Sequence, residues 1–281
     1  MTKTLGMKIN KMKTIMYIHG MGGGSDSRIP STLRDVLCSP VSSHCSLEPT
    51  PSHCSSEQTP SHCPSEPTSS LCPLESSPSH CHPERSEGSV QVVCRTYSFD
   101  PEEAAGQIKA WAEELKPDLI IGESLGCLHA LRLSGVPKIL ISPALNAPQY
   151  FEALAWLTLI PGVTWIFDRI YKPRPGDRQP LHFTFRTLRK YRHHRKQAMK
   201  ASRLCRPDQT SSPNVGTHVC VNDYIHAFIG TRDHYLRTAI VSRRTYKKHF
   251  GATCTLYDGS HFTEEEYIRS LVIPKIKELL G

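Results

Sequence analysis

The sequence predicts an α/β protein whose central sheet is mostly parallel, with helices on both faces and one long excursion. Short apolar runs that suit strands alternate with longer stretches that suit helices. Strands that are separated by helices are joined by crossovers, and such crossovers produce a parallel sheet. At 281 residues the chain is long enough for one sizeable core together with that excursion.

The elements follow in a regular order once one segment of unusual composition is set aside. Strands are expected at residues 14–19, 90–97, 119–122, 138–142, 225–230 and 252–257, and helices at 101–115, 124–134, 237–250 and 263–280. The core therefore comprises residues 1–38, 90–147 and 224–281, the unusual segment is 39–89, and the excursion, interpreted as a cap, is 148–223.

The unusual segment, 39–89, is a low-complexity repeat. Of its 51 residues 16 are Ser, 9 are Pro and none is aromatic, so it cannot bury enough apolar surface to offset the entropy lost on ordering. Cys recurs every nine residues, four times as Ser-His-Cys, at Cys45, Cys54, Cys63, Cys72 and Cys81. We interpret the segment as a disordered tandem repeat inserted in a helix-to-strand connection, where added length costs little.

The His and Cys residues of this repeat raise the alternative of a metal-binding arm. Zinc sites usually separate paired ligands by about two to four residues, whereas eight residues separate successive Cys here. We therefore expect no structured metal site and no organic cofactor. The 11 Cys of the chain do not predict disulfides, because no secretory signal precedes the first strand, and the expected location is cytoplasmic.

A candidate nucleophile lies in the turn after the third strand. The turn Gly122-Glu123-Ser124-Leu125-Gly126 follows an apolar strand and precedes a helical pattern, which is the setting that a strained Gly-x-Ser-x-Gly turn requires. A Cβ at either flanking glycine would collide with neighbouring backbone. The alternative is a chance match at an ordinary strand-to-helix turn.

The first strand ends in a glycine-rich loop at residues 19–24, which begins with His19 and Gly20. In this position the loop is expected to help form an oxyanion hole, with the backbone N–H groups of Met21 and Leu125 as donors. A phosphate-binding loop is the alternative. It is disfavoured because the Lys-Ser or Lys-Thr pair of a P-loop is missing and the spacing fits no dinucleotide motif.

A candidate acid and base follow the serine in the chain. Asp233 comes just after the fifth strand, and His261 comes just after the sixth. His261 would take the serine proton and return it to the leaving group, while Asp233 would fix the imidazole tautomer. For the acid, Asp223, Asp258 and, from another strand end, Asp100 remain alternatives.

Taken together, these motifs resemble those of small bacterial α/β-hydrolases of the esterase kind. The matching positions, in chain order, are His19-Gly20, Gly122 to Gly126, Ser142-Pro143-Ala144 and Gly259-Ser260-His261-Phe262. The resemblance implies an α/β-hydrolase fold and hydrolysis of an ester or thioester. It covers the sheet core only, and the repeat and the long cap depart from it, so the substrate class stays open.

The cap segment begins apolar and then becomes strongly basic. Its apolar stretch, 151–167, is broken by Pro161-Gly162 and is expected to form two short pieces rather than one membrane span. Residues 169–206 contain 13 Lys or Arg and one acid, a net charge of +12, so the rest of the chain sums to 8 minus 12, or −4. This charge suits contact with an anionic lipid surface or anionic substrate; a solvated helix face is an equally good interpretation.

The sequence therefore predicts a serine hydrolase that acts on a small ester or thioester through an acyl-enzyme on Ser124. The alternative is a catalytically inactive protein of the same fold whose basic segment contacts anionic lipid or nucleic acid, although nucleic acid is the less expected partner. Ser, Asp and His in the chain order that this fold uses favour the enzyme. Acyl transfer or lyase chemistry at the same turn is a third hypothesis.

Overall fold

A computed structural model describes residues 12–38, 90–173, 175–203, 224–251 and 254–281. The predicted repeat at 39–89 lies outside these residues, as does the acid candidate Asp223. The domain boundaries drawn from the sequence therefore stay a prediction.

Six parallel strands form one sheet in the order β2-β1-β3-β4-β5-β6. The strands are β1 (Lys13–Ile18), β2 (Val90–Cys94), β3 (Leu119–Glu123), β4 (Lys138–Ile141), β5 (Ile225–Gly230) and β6 (Cys254–Tyr257). Helices flank the sheet, which confirms the predicted α/β fold. The strands were predictable because they are apolar runs, and the central strands β3 and β4 are buried on both faces, as is typical of a parallel sheet.

The helices are α1 (Arg28–Leu37), α2 (Pro101–Leu115), α3 (Gly126–Ala130), α4 (Ala147–Leu157), α5 (Val163–Ile170), α6 (Phe185–Arg203), α7 (Arg243–Phe250), α8 (Glu265–Tyr267) and α9 (Ile273–Leu280). A π-helical turn, Ile268–Val272, joins the last two. The side chains of β1 alternate between the two faces of the sheet. Ile15 and Tyr17 pack against α1 and α9, whereas Met16 and Ile18 face the core that α2, α3, α6 and α7 cover.

Two helices are shorter than predicted, for local reasons. The helix expected at 124–134 ends at Ala130, and the chain continues in turns to Gly135, which has a φ of +79°. The helix expected at 237–250 begins only at Arg243. Ala239 has a φ of +56°, which no helix accommodates, and the Ser242 hydroxyl then caps the new start by accepting from the Thr245 N–H.

In the described part of the cap, up to residue 203, the chain forms helices α4, α5 and α6, and the apolar part divides as predicted. Helix α4 ends before Pro161, and Gly162, with a φ of +85°, redirects the chain into α5. Among the residues that the structure describes, no helix is long and apolar enough to cross a membrane.

Part of the basic stretch attaches the cap to the core. The Lys190 ammonium lies 2.6 Å from the carboxylate of Asp100, the residue that caps α2. Arg195 donates to the carbonyl oxygen of Leu145 and, at 2.9 Å, to the side chain of Asn146. These two basic residues therefore hold α6 in place, and the charge counted from the sequence overstates the basic surface that is available to a partner.

Candidate active site

The candidate residues meet because the parallel strands end at a common edge. Ile18 at the end of β1 pairs with Gly122 of β3, and Gly230 of β5 pairs with Tyr257 of β6. The residues that follow these strands therefore lie side by side. The connection from β1 to β2 runs to one side of β1 and β3 lies on the other, so the crevice where ligands bind in open α/β sheets falls beside Ser124.

Ser124 stands in a strained turn that close backbone packing enforces. Its φ is +49°, a left-handed conformation that a serine rarely adopts. A Cβ on Gly126 would come within 2.3 Å of the carbonyl oxygen of His19, and a Cβ on Gly20 would come within 3.0 Å of the Ser124 Cβ. Both glycines therefore allow the β1 loop to approach the serine.

The structure brings Ser124, His261 and Asp233 into one hydrogen-bonded line. The Ser124 Oγ lies 2.9 Å from Nε2 of His261, and Nδ1 of His261 lies 2.8 Å from Oδ2 of Asp233. The other carboxylate oxygen of Asp233 accepts from the Tyr235 N–H at 2.8 Å. Asp233 and His261 are both buried, so the carboxylate cannot rotate freely and the imidazole is held with Nε2 toward the serine.

The remaining described acids are engaged elsewhere. Asp100 caps α2 and binds Lys190. Burial is the largest single effect on the pKa of Asp100 and raises it, but the hydrogen bonds from Lys190 and from the Glu102 N–H together lower the pKa below its ordinary value. Asp258 is exposed and forms an ion pair with Arg232 at 2.9 Å. Neither carboxylate contacts His261, which leaves Asp233 as the partner among the described acids.

The two predicted oxyanion donors belong to residues that adjoin the serine turn. Met21 directly follows Gly20, on which a Cβ would come within 3.0 Å of the Ser124 Cβ, and Leu125 directly follows the serine in the chain. In the described parts of the chain, no intramolecular hydrogen bond uses the N–H of either residue. Both N–H groups are therefore free to bind a developing oxyanion.

Gln179, which no sequence motif singles out, holds the glycine-rich loop. This side chain is buried; its oxygen accepts from the Gly22 N–H at 3.1 Å, and its nitrogen donates to the carbonyl of Tyr97 at 3.1 Å. The Gln179 N–H donates to the carbonyl of Gly23 at 2.8 Å. A lone glutamine in a basic cap segment carries no motif, so only the folded chain identifies it as the clamp on this loop.

Behind the loop lies a cluster of buried histidines. Nδ1–H of His19 donates to the carbonyl of Gly20 at 2.8 Å, and its ring stacks on Tyr97 with centroids 4.3 Å apart. Farther back, the rings of His129 and His194 lie 4.3 Å apart, and Arg132 donates to Nδ1 of His194. Burial lowers the pKa of His19 to about 4 and that of His194 to about 3, with the Arg132 charge adding to the second. All of these rings are therefore neutral near pH 7.

The cluster predicts that the free energy of unfolding already decreases at pH values well above those at which carboxylates protonate. In the unfolded chain each histidine takes up a proton as the pH falls below about 6.5, whereas the folded state resists protonation down to the lowered pKa. The stabilisation that comes from keeping these histidines neutral is thus fully present above pH 6.5 and is lost as the pH falls from there toward their lowered pKa values. From pH 7 to pH 5, His19 and His194 should each remove about 2 kcal/mol from the free energy of unfolding.

Urea unfolding at pH 7 and pH 5 measures this loss. In His194→Phe the pH-dependent loss should shrink by about 2 kcal/mol, the share of this one histidine, whatever that variant does to stability at pH 7. An unfolding free energy that is equal at the two pH values would contradict the neutral buried histidines.

Aromatic rings line the approach to His261. The ring of Tyr235 packs on the imidazole edge-to-face, with centroids 4.6 Å apart, and Phe262 stands exposed on another side at 5.4 Å. Burial first, and then the nearby phenol of Tyr171, raise the pKa of Tyr235. Tyr171 itself packs on Phe183 with centroids 4.9 Å apart. Tyr235 and Phe262 therefore surround the imidazole of His261, and the cap residue Tyr171 lies near Tyr235.

Comparison with known proteins finds likeness in structure only. No protein-family model matches the chain, and no curated protein matches it. Est1E from Butyrivibrio proteoclasticus is 13% identical with a TM-score of 0.49, over 97% of this chain and 90% of that one. MenH from S. aureus is 10% identical with a TM-score of 0.48, over 96% of this chain and 95% of that one. The thioesterase domain from the curacin biosynthetic pathway is 12% identical with a TM-score of 0.46, over 95% and 92%.

Proposed function

We propose that this chain is a serine hydrolase of the α/β-hydrolase kind, which cleaves a carboxylic ester or thioester through an acyl-enzyme on Ser124. The observation that carries the proposal is the line from Ser124 Oγ through His261 to Asp233, with separations of 2.9 and 2.8 Å. A serine, a neutral imidazole that can accept its proton and a buried carboxylate that orients the imidazole are the parts that acyl transfer needs.

The reaction follows from these positions. Nε2 of His261 takes the Ser124 proton while Oγ bonds to the carbonyl carbon, and the carbonyl π electrons move onto oxygen. The N–H groups of Met21 and Leu125 bind that oxyanion. When it collapses, the bond to the leaving group breaks and His261 gives its proton to the departing alcohol or thiol. A water molecule, deprotonated by the same imidazole, then attacks the acyl carbon; the bond to Oγ breaks, His261 returns the proton to Oγ, and the acid leaves.

Asp233 has a separate task in this cycle. Its buried carboxylate accepts the Nδ1–H of His261, which keeps Nε2 free to accept the serine proton and stabilises the imidazolium that forms. The binding-protein alternative loses part of its basis, because Lys190 and Arg195 of the basic segment are used in internal contacts.

A fluorophosphonate probe tests the nucleophile directly. The native protein should be labelled on Ser124, and Ser124→Ala should abolish labelling because the attacking oxygen is removed. Ser142→Ala is the matched control, since Ser142 is a buried serine that follows the neighbouring strand, also with a positive φ. A folded native protein that takes no label, or one labelled on another serine, would overturn the proposal. p-Nitrophenyl esters of increasing chain length, with acyl-CoA alongside, would then define the acyl preference.

A further inference from the structure

The connected helices α4 and α5 expose an unusual amount of apolar surface. We call residues 156–171 the apolar hairpin. In α5 no residue is buried, and in the hairpin two of the three tryptophans of the protein stand exposed. Its exposed large apolar residues are Trp156, Leu157, Leu159, Ile160, Trp165, Ile166, Ile170 and Tyr171. A contiguous exposed cluster of this size marks an interaction surface, whereas single exposed apolar residues are ordinary.

The hairpin is attached to the core from its inner side, so the exposed residues form a true outer face. Phe167 packs on Phe183 with centroids 5.6 Å apart, and Ala155 of α4 is fully buried. On the outside, the relative exposure is 64% for Trp165 and 66% for Ile170. Among the described residues Tyr171 contacts Phe183 and Trp156 contacts Phe185, so the outward surface of the hairpin consists mainly of Trp165, Ile170 and their exposed apolar neighbours.

Basic side chains border this face. The Arg169 guanidinium lies 5.7 Å from the Trp165 ring centre, and that of Arg189 lies 5.4 Å from the Phe185 ring, which packs edge-on against Trp156. Arginine beside exposed tryptophan is the composition that favours the boundary between lipid headgroups and acyl chains. A basic border also attracts anionic headgroups.

Two other occupants fit this face poorly. A second copy of the chain, paired about a two-fold axis, would place the same arginines near each other, and the chain already carries a net charge of +8. The segment 39–89 has only Val41, Leu47, Leu71 and Leu74 as aliphatic residues and no aromatic residue, so its composition cannot cover eight large apolar side chains.

We propose that the apolar hairpin docks onto the surface of an anionic phospholipid membrane. Tyr171 at its end lies near enough to Tyr235 to raise the pKa of that phenol, and the Tyr235 ring packs on His261. Docking of the hairpin therefore holds the candidate site near the membrane surface. The docking itself does not depend on catalysis; only the inference that the site takes acyl esters from that surface rests on the proposed function.

Vesicle co-sedimentation of the full chain tests the docking. The native protein and Ser124→Ala should both bind vesicles of equimolar phosphatidylcholine and phosphatidylglycerol, with a blue shift in tryptophan fluorescence. The double variant Trp165→Glu/Ile170→Glu should bind at least about tenfold more weakly. Leu256→Glu, which places a single glutamate at an exposed leucine of β6 outside the hairpin, should bind as the native protein does. Circular dichroism of each variant confirms that it is folded.

The charged border is tested by lipid composition and salt. Binding to vesicles of phosphatidylcholine alone should be about tenfold weaker than binding to the mixed anionic vesicles. The variant Arg169→Ala/Arg189→Ala should bind the two kinds of vesicle equally. Salt should weaken binding to the anionic vesicles. No vesicle binding, native binding by Trp165→Glu/Ile170→Glu, or a dimer that this variant dissociates would overturn the proposal. A protein that binds vesicles but takes no fluorophosphonate label would refute the proposed function alone.

Discussion

Ser124→Ala is expected to lower kcat toward an activated ester by about 10⁴- to 10⁶-fold, and His261→Ala by a similar factor. The two side chains are 2.9 Å apart and act in one proton transfer, so either loss disables the same step. The double variant should therefore be hardly slower than either single variant. Initial rates with a p-nitrophenyl ester, measured on proteins whose thermal unfolding has been compared, give the three values.

His234→Ala is the matched control for these variants. The His234 ring lies near the His261 ring, 5.9 Å between centroids, but it is exposed and does not contact Ser124. We expect its kcat to stay within a few-fold of the native value. If the losses of Ser124→Ala and His261→Ala multiplied in the double variant, the two residues would not be acting as a unit.

The sequence was sufficient to predict the sheet, and it shows three polar candidates placed just after strands of that sheet. Each strand is an apolar run bounded by turn residues, and parallel strands end at one edge. A polar residue just after one strand therefore lies near the residues that follow the adjacent strands, even when many residues separate them in the sequence. Ser124, Asp233 and His261 each follow such a strand, so position alone selected one histidine among 15.

Other features depend on contacts between distant segments, which local patterns do not encode. Gln179 becomes the clamp of the glycine-rich loop only because the cap returns over residues 22–24. In the sequence, Lys190 and Arg195 resemble surface charges. In the structure, the Lys190 ammonium contacts Asp100, and the Arg195 guanidinium binds residues 145 and 146 just before α4. The late start of α7 reflects a positive φ at Ala239, a backbone choice that no side-chain pattern signals.

Asp233→Asn is expected to lower kcat by about 10⁴-fold with little change in the fold. In the native site one carboxylate oxygen accepts from the Tyr235 N–H and the other faces Nδ1 of His261. Asparagine has one acceptor oxygen, and the Tyr235 N–H requires it. The amide nitrogen must then face His261, so Nδ1 becomes the acceptor, Nε2 carries the proton, and the imidazole can no longer take the proton of Ser124.

Asp258→Asn distinguishes this explanation from a general loss of negative charge near His261. Asp258 lies three residues before the histidine in sequence, but it is exposed and pairs with Arg232. Its kcat should stay within a few-fold of the native value, although both substitutions replace a carboxylate by an amide. If Asp258→Asn caused the large loss and Asp233→Asn did not, the acid would have been assigned to the wrong strand end. The comparison therefore tests the tautomer argument through one matched pair of variants.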